Sequence, residues 1–200
     1  MKPSSNTYTI TATDADGICQ SQTPGAAGNL TINGALAAGI PTQQHVTIYG
    51  GSNESGKTFT IYGTDQGDQA ISETLTGPNA GTVTSVLNYK TVTRVAVSAA
   101  TAGAVTVGVV ATLETPWAPL DVHKSNFNVG YQVGITTATF ELQGTLDGVQ
   151  DSTVTPLTNT LVASGVVDIA GNLTGPVSAI RLKITSWTTG TVTFKVLQVG

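Results

Sequence analysis

A stretch of nine residues occurs twice in this chain, and the repeat constrains the fold more than any other feature. Phe59 to Gly67 reads Phe-Thr-Ile-Tyr-Gly-Thr-Asp-Gln-Gly, and Phe140 to Gly148 reads Phe-Glu-Leu-Gln-Gly-Thr-Leu-Asp-Gly. Both alternate apolar with polar residues and then enter Gly-Thr and a further Gly. This is the pattern of a half-buried strand running into a turn. A second echo follows each copy. Arg94-Val95-Ala96-Val97 ahead of Gly103 to Val107 matches Arg181-Leu182-Lys183-Ile184 ahead of Gly190 to Phe194. The first echo recurs 81 positions on (59 to 140) and the second 87 (94 to 181), a difference the size of a loop. The chain reads as one small β-domain written twice.

A length of 200 residues allows one large or two small domains, and the repeat favours two, each large enough for its own core. Charged residues make up 10% of the chain, against about 25% in an average soluble protein. Thr supplies about one residue in six. Thr and Val fit a pleated surface and disfavour helix, so an all-β fold follows from composition. A net charge of −4, with Lys and Arg scattered, argues against a nucleic-acid groove. Cys19, the single cysteine, excludes an internal disulfide framework and reads as a buried, inert thiol. Met1-Lys2-Pro3-Ser4 begins no apolar signal core, so Sec-type export is not expected, and no run of about 18 apolar residues spans a membrane.

Residues 1–28 read as an irregular arm with one strand, Thr7 to Thr13. Alternation then predicts strands at Asn29–Asn33, Val46–Tyr49, Lys57–Gly63, Ala70–Thr76, Thr82–Leu87, Val92–Ser98 and Ala104–Thr112. After Pro116-Trp117-Ala118-Pro119 come Asn128–Ile135, Thr137–Gly144, Thr153–Pro156, Leu161–Ile169, Ser178–Ser186 and Thr191–Val199. The two prolines suggest a stiff connector with Trp117 packed between the halves. The predicted fold is two tandem antiparallel β-sandwiches, immunoglobulin-like or jelly-roll-like, of similar topology. Residues 1–116 would carry the N-terminal arm, and residues 120–200 would form the second sandwich.

Few residues suggest chemistry. Gly51 to Thr58 matches the phosphate-loop pattern G-x-x-x-x-G-K-[ST], but Thr58-Phe59-Thr60-Ile61-Tyr62 continues as a strand where the mechanism needs a helix, so a hairpin loop is expected. His45 and His123 lack spacing partners for a metal. Asp14-Ala15-Asp16-Gly17 has no closing Glu for a calcium loop and reads as an Asx turn. Asp65, Asp68 and Glu73, and Asp147 with Asp151, lie close enough in sequence to supply a glycosidase's carboxylate pair, but such pairs are common solvated features of turns. The sequons at Asn29, Asn53 and Asn172 carry no weight without export. No catalytic, cofactor-binding or metal-binding residue is assigned.

Ile18-Cys19 through Gly34, Ala70 through Pro78, and Pro116-Trp117-Ala118-Pro119-Leu120-Asp121 with Phe127-Asn128-Val129-Gly130 resemble small structural proteins of tailed bacteriophages. The resemblance implies a virion component assembled in the host cytoplasm, in the style of a head decoration (cement) protein. The alternative it leaves is a collar, neck or tail-fibre-associated protein. The implied partners are capsid or neck and tail subunits, met through strand edges and the N-terminal arm. Oligomerisation would cover those edges, which few charges guard. Neither nucleic acid nor membrane is an expected partner. A more distant reading is a carbohydrate-binding sandwich using Tyr49, Tyr62, Tyr89, Tyr131 or Trp187, and an enzyme ranks last.

Overall fold

In the computed structural model, residues 4–121, 123, 128–149, 156–173 and 175–199 are described, and every regular element among them is a strand. The first nine are β1 (Ser4–Tyr8), β2 (Asp14–Gln22), β3 (Gly28–Asn29), β4 (Gln44–Asn53), β5 (Thr58–Thr64), β6 (Ala70–Thr76), β7 (Asn79–Tyr89), β8 (Thr91–Val97) and β9 (Val105–Val109). Six more follow: β10 (Leu113–Glu114), β11 (Ala118–Pro119), β12 (Asn128–Thr145), β13 (Asn159–Gly165), β14 (Ile169–Leu173) and β15 (Ala179–Val199). The chain divides into two compact units, Thr11–Ala111 and the combination of Met1–Ile10 with Thr112–Gly200.

The unit Thr11–Ala111 is a sandwich of two antiparallel sheets, ordered β2-β9-β4-β7 and β3-β8-β5-β6. Alternation along each strand sends one face inward. Val46, Ile48, Val105, Val107 and Val109 of one sheet meet Phe59, Ile61, Val95 and Val97 of the other in a shared core. Each such side chain contributes ~1.5–3 kcal/mol on burial. With eight strands, and the first hydrogen-bonded beside the last, the order is that of a jelly roll.

The second unit is built on two long strands. β12 and β15 pair antiparallel from Asn128↔Val199 to Thr145↔Ala179, with register shifts around Thr137 and Phe140. At the same level Gly190 adopts a φ of 91°, which lets β15 turn where other residues would be strained. Beyond this bend each long strand changes neighbours. The first half of β12 lies between β14 and the last half of β15, whose free side takes β1. The second half of β12 lies between β13 and the first half of β15, flanked by β10 and β11.

Counted by half-strands, the order is β1-β15-β12-β14 and β10-β15-β12-β13, which repeats the order of the other unit. The register repeats as well. Phe59↔Val97, Ile61↔Val95 and Tyr62↔Arg94 reappear as Phe140↔Ile184, Leu142↔Leu182 and Gln143↔Arg181, the residues of the two sequence echoes. Gly28↔Val97 and Asn29↔Ala96 reappear as Leu113↔Ile184 and Glu114↔Lys183. Even the loop bond from Leu30 N to Val95 O recurs, as Thr115 N to Leu182 O.

The duplication is therefore nested where the sequence suggested a tandem. β1 belongs to the sheet of β15, and the unit Thr11–Ala111 occupies the connection between β1 and β10. The predicted boundary at Pro116–Pro119 moves accordingly: Ala118–Pro119 is itself an edge strand on β15, where proline leaves no ladder bond unmade. Trp117 lies over the Arg181 guanidinium at 4.6 Å, a contact within one unit. The strand expected at Thr7–Thr13 is Ser4–Tyr8, and the arm contains β2, which the sequence reading left irregular. Two predicted strand pairs fuse into β12 and β15, and Leu161–Ile169 splits at Val166. The strand expected at residues 153–156 falls largely outside the described residues.

Candidate functional site

The loop with the phosphate-binding pattern sits between β4 and β5 and passes from a turn straight into strand at Thr58. Its centre is Glu54, whose side chain is wholly buried. Glu54 Oε1 accepts the Gly103 amide at 2.9 Å, and Oε2 accepts the Ala102 amide at 3.0 Å and Lys57 Nζ at 2.6 Å. Burial pushes the carboxyl up, but the Lys57 bond and the two amides outweigh it and hold it below the usual carboxylate range. Lys57, which would have to reach a phosphate, is committed to Glu54. The loop is a latch joining the β4–β5 turn to the β8–β9 loop. Sequence reasoning flagged it for the wrong residues; the signal was a lone acid inside a Gly/Ser loop.

Several other carboxylates are likewise bonded to backbone. Asp14 Oδ1 accepts the Asp16 amide, the expected Asx turn. Asp65 Oδ1 accepts the amides of Gly67 and Gln69, and Asp68 pairs with Lys90 at 2.6 Å. Glu73 reaches from β6 to the amides of Val86 and Leu87, where β7 bulges out of register with β4. Asp147 accepts the Leu157 amide, and Asp168 the Ile135 amide. Asp151 lies outside the described residues. The structure does not join Asp65, Asp68 and Glu73 into one pair; each holds a different segment. His45 lies in β4 and His123 in a turn of the other unit. Among the described residues, no group of three or more His, Cys, Asp or Glu is placed to hold a metal ion.

Glutamines do similar work without charge. Gln44 is buried in β4; its amide accepts from Thr11 N and donates to Thr11 O and Val110 O. This clamps the entry and exit of the unit Thr11–Ala111. Gln22 closes the same two-way bond on Thr31, and Gln198 on Asp121. Each side-chain amide stands in for a strand's peptide group.

The aromatic residues offer little open surface. Tyr89 is buried, and Tyr62 lies under the Arg94 guanidinium at 3.7 Å. Tyr131 and Trp187 are partly buried, which leaves Tyr49 exposed. Cys19 is buried, and burial pushes its thiol up to about 12, so it is protonated at neutral pH. Exposed large apolar side chains are Leu146, Leu157, Val166, Val167 and Leu197 in one unit and Tyr49, Val86 and Leu87 in the other. The sequence signal missed was Val166-Val167, two adjacent valines in a loop. Among the described residues, the sheet edges are β2, β7, β3 and β6 in one unit and include β1, β13 and β14 in the other.

Compared with known proteins, the chain matches no protein-family model and no curated protein.

Proposed function

We propose that this chain is a structural protein of a tailed-bacteriophage virion, serving as a head decoration protein that binds other virion subunits through its sheet edges. The observation that carries the reading is the pair of jelly rolls with weakly charged faces, in which the buried Gln44, Glu54 and Gln198 hold backbone. Jelly rolls recur in viral capsid and lectin domains, so this support is by architecture and by the resemblance of the sequence. Neutral, threonine-rich edges suit subunit packing, because main-chain pairing gives affinity where charges are scarce.

Quantitative gel analysis of purified virions tests the reading. A copy number commensurate with the capsid lattice, retained on emptied heads, is the expected result. A small multiple of the tail symmetry, retained on isolated tails, would instead place the protein at the collar or tail. Absence from virions would sink both. The lectin reading has less support, since Tyr49 is the one exposed residue among the five aromatic positions assigned to it. A glycan panel that raises the melting temperature would revive it.

A further inference from the structure

We propose that β1 is an exchangeable strand, whose second seat is the β15 edge of another copy of this chain. The proposal rests on strand pairing and topology, and not on the virion reading. β1 reaches the sheet it completes only by way of the unit Thr11–Ala111, so no short hairpin ties it to its neighbours. Its anchoring is slight. Of its described side chains, Ser5, Asn6 and Thr7 are exposed and Tyr8 alone is buried. The corresponding strand of the other unit, β2, buries both Ile18 and Cys19. Residues 9–13, which follow β1, form no strand; the fixed points there are the buried Ile10 and Thr11, which Gln44 holds, so an exchanging β1 hinges at this segment. An element with so few buried contacts opens at the low end of a protein's range of local stabilities.

The seat is well defined and indifferent to which chain fills it. Five register pairs, Ser4↔Val196 to Tyr8↔Val192, join backbone to backbone. Tyr8 is buried at this edge and, with Pro116, Trp117, Pro119, Phe194 and Val196, lines a cleft of about 220 Å³. Its hydroxyl lies beside the side chains of Asn6 and Thr115. None of these contacts requires that β1 and β15 belong to one molecule. Exchange re-forms them all, so concentration decides between the closed and the exchanged form.

Thr7 and Thr193 stand opposite each other with Oγ1 atoms 3.4 Å apart, and this pair provides the test. One preparation carries Thr7→Cys and the other Thr193→Cys; the two are mixed, unfolded, refolded together at high protein concentration and oxidised. The expected result is a covalent heterodimer on a non-reducing gel, its yield falling tenfold or more on refolding at high dilution. The double variant Thr7→Cys/Thr193→Cys is the control. An intrachain disulfide in that variant at every concentration, without heterodimer in the mixture, overturns the proposal. Light scattering on the unaltered chain is the second measurement. A monomer's mass from micromolar to millimolar concentration overturns the proposal whatever the disulfides do.

Discussion

The two units follow one plan with different joins. In the unit Thr11–Ala111 the sheets are separate, and the crossings from β4 to β5 and from β8 to β9 are loops fastened by Glu54. In the other unit the same crossings are unbroken, and β12 and β15 run through a bend at Gly190. The paired registers agree through all of this. Inter-strand pairing and the buried face specify the fold, and the way a strand passes between sheets can drift.

Equivalent positions that differ in surroundings test this comparison. Gly63 and Gly144 occupy the same place in the two copies. A Cβ on Gly63 would lie 1.9 Å from the backbone oxygen of Thr91, whereas on Gly144 its nearest neighbour would be the Leu161 side chain at 2.9 Å. A backbone carbonyl cannot rotate away, so Gly63→Ala is expected to cost ~3 kcal/mol or more and Gly144→Ala about 1 kcal/mol. Chemical denaturation of the two variants checks this, and equal losses would mean that the copies are not equivalent there.

The latch comes next. Glu54→Ala leaves two amides and an ammonium without their partner, and a loss of ~3 kcal/mol is expected in the unit that contains it. The pH dependence has a definite sign. Because the folded-state pKa of Glu54 is lowered, its contribution is complete above the unfolded value of about 4.3 and is lost as pH falls through the folded value. Melting temperature should therefore decline in acid for the unaltered chain and less steeply for Glu54→Gln. An identical slope in both would remove Glu54 from the account.

A smaller contrast lies at the matched arginines. Arg181 stacks on Trp117, pairs with Glu114 at 2.6 Å and donates to Gln143, while Arg94 rests on Tyr62. Lysine keeps the charge but loses the planar fork, so Arg181→Lys should cost ~1–2 kcal/mol and Arg94→Lys about 0.5 kcal/mol. Thermal melts of the pair would measure the difference. Least of all, Cys19 should resist a thiol reagent at pH 8 until the protein is unfolded, since burial keeps it protonated. Rapid labelling of the native chain would show that β2 opens.

Much of this was legible in the sequence. The echoes at Phe59 and Phe140, and at Arg94 and Arg181, proved to be facing strands, because a buried face forces alternation and alternation survives in the text. Ala70–Thr76 was placed to the residue for the same reason. The nesting was hidden because Ser4–Tyr8 has four small polar residues before its one anchor, a pattern without period. β2 was hidden too, since its register against β9 shifts and its buried Ile18 and Cys19 are adjacent. The role of Glu54 could not be read, because its partners, Ala102 and Gly103, offer only backbone amides, which every residue but proline has.

Nesting also sets an order of events at the ribosome. Thr7 meets Thr193 across a separation of 186 residues, so β1 emerges early and then has no partner while the intervening unit is made and folds on local terms. Its sheet closes only when the end of β15 has appeared. A strand made before the whole intervening unit is thus among the last to find its place.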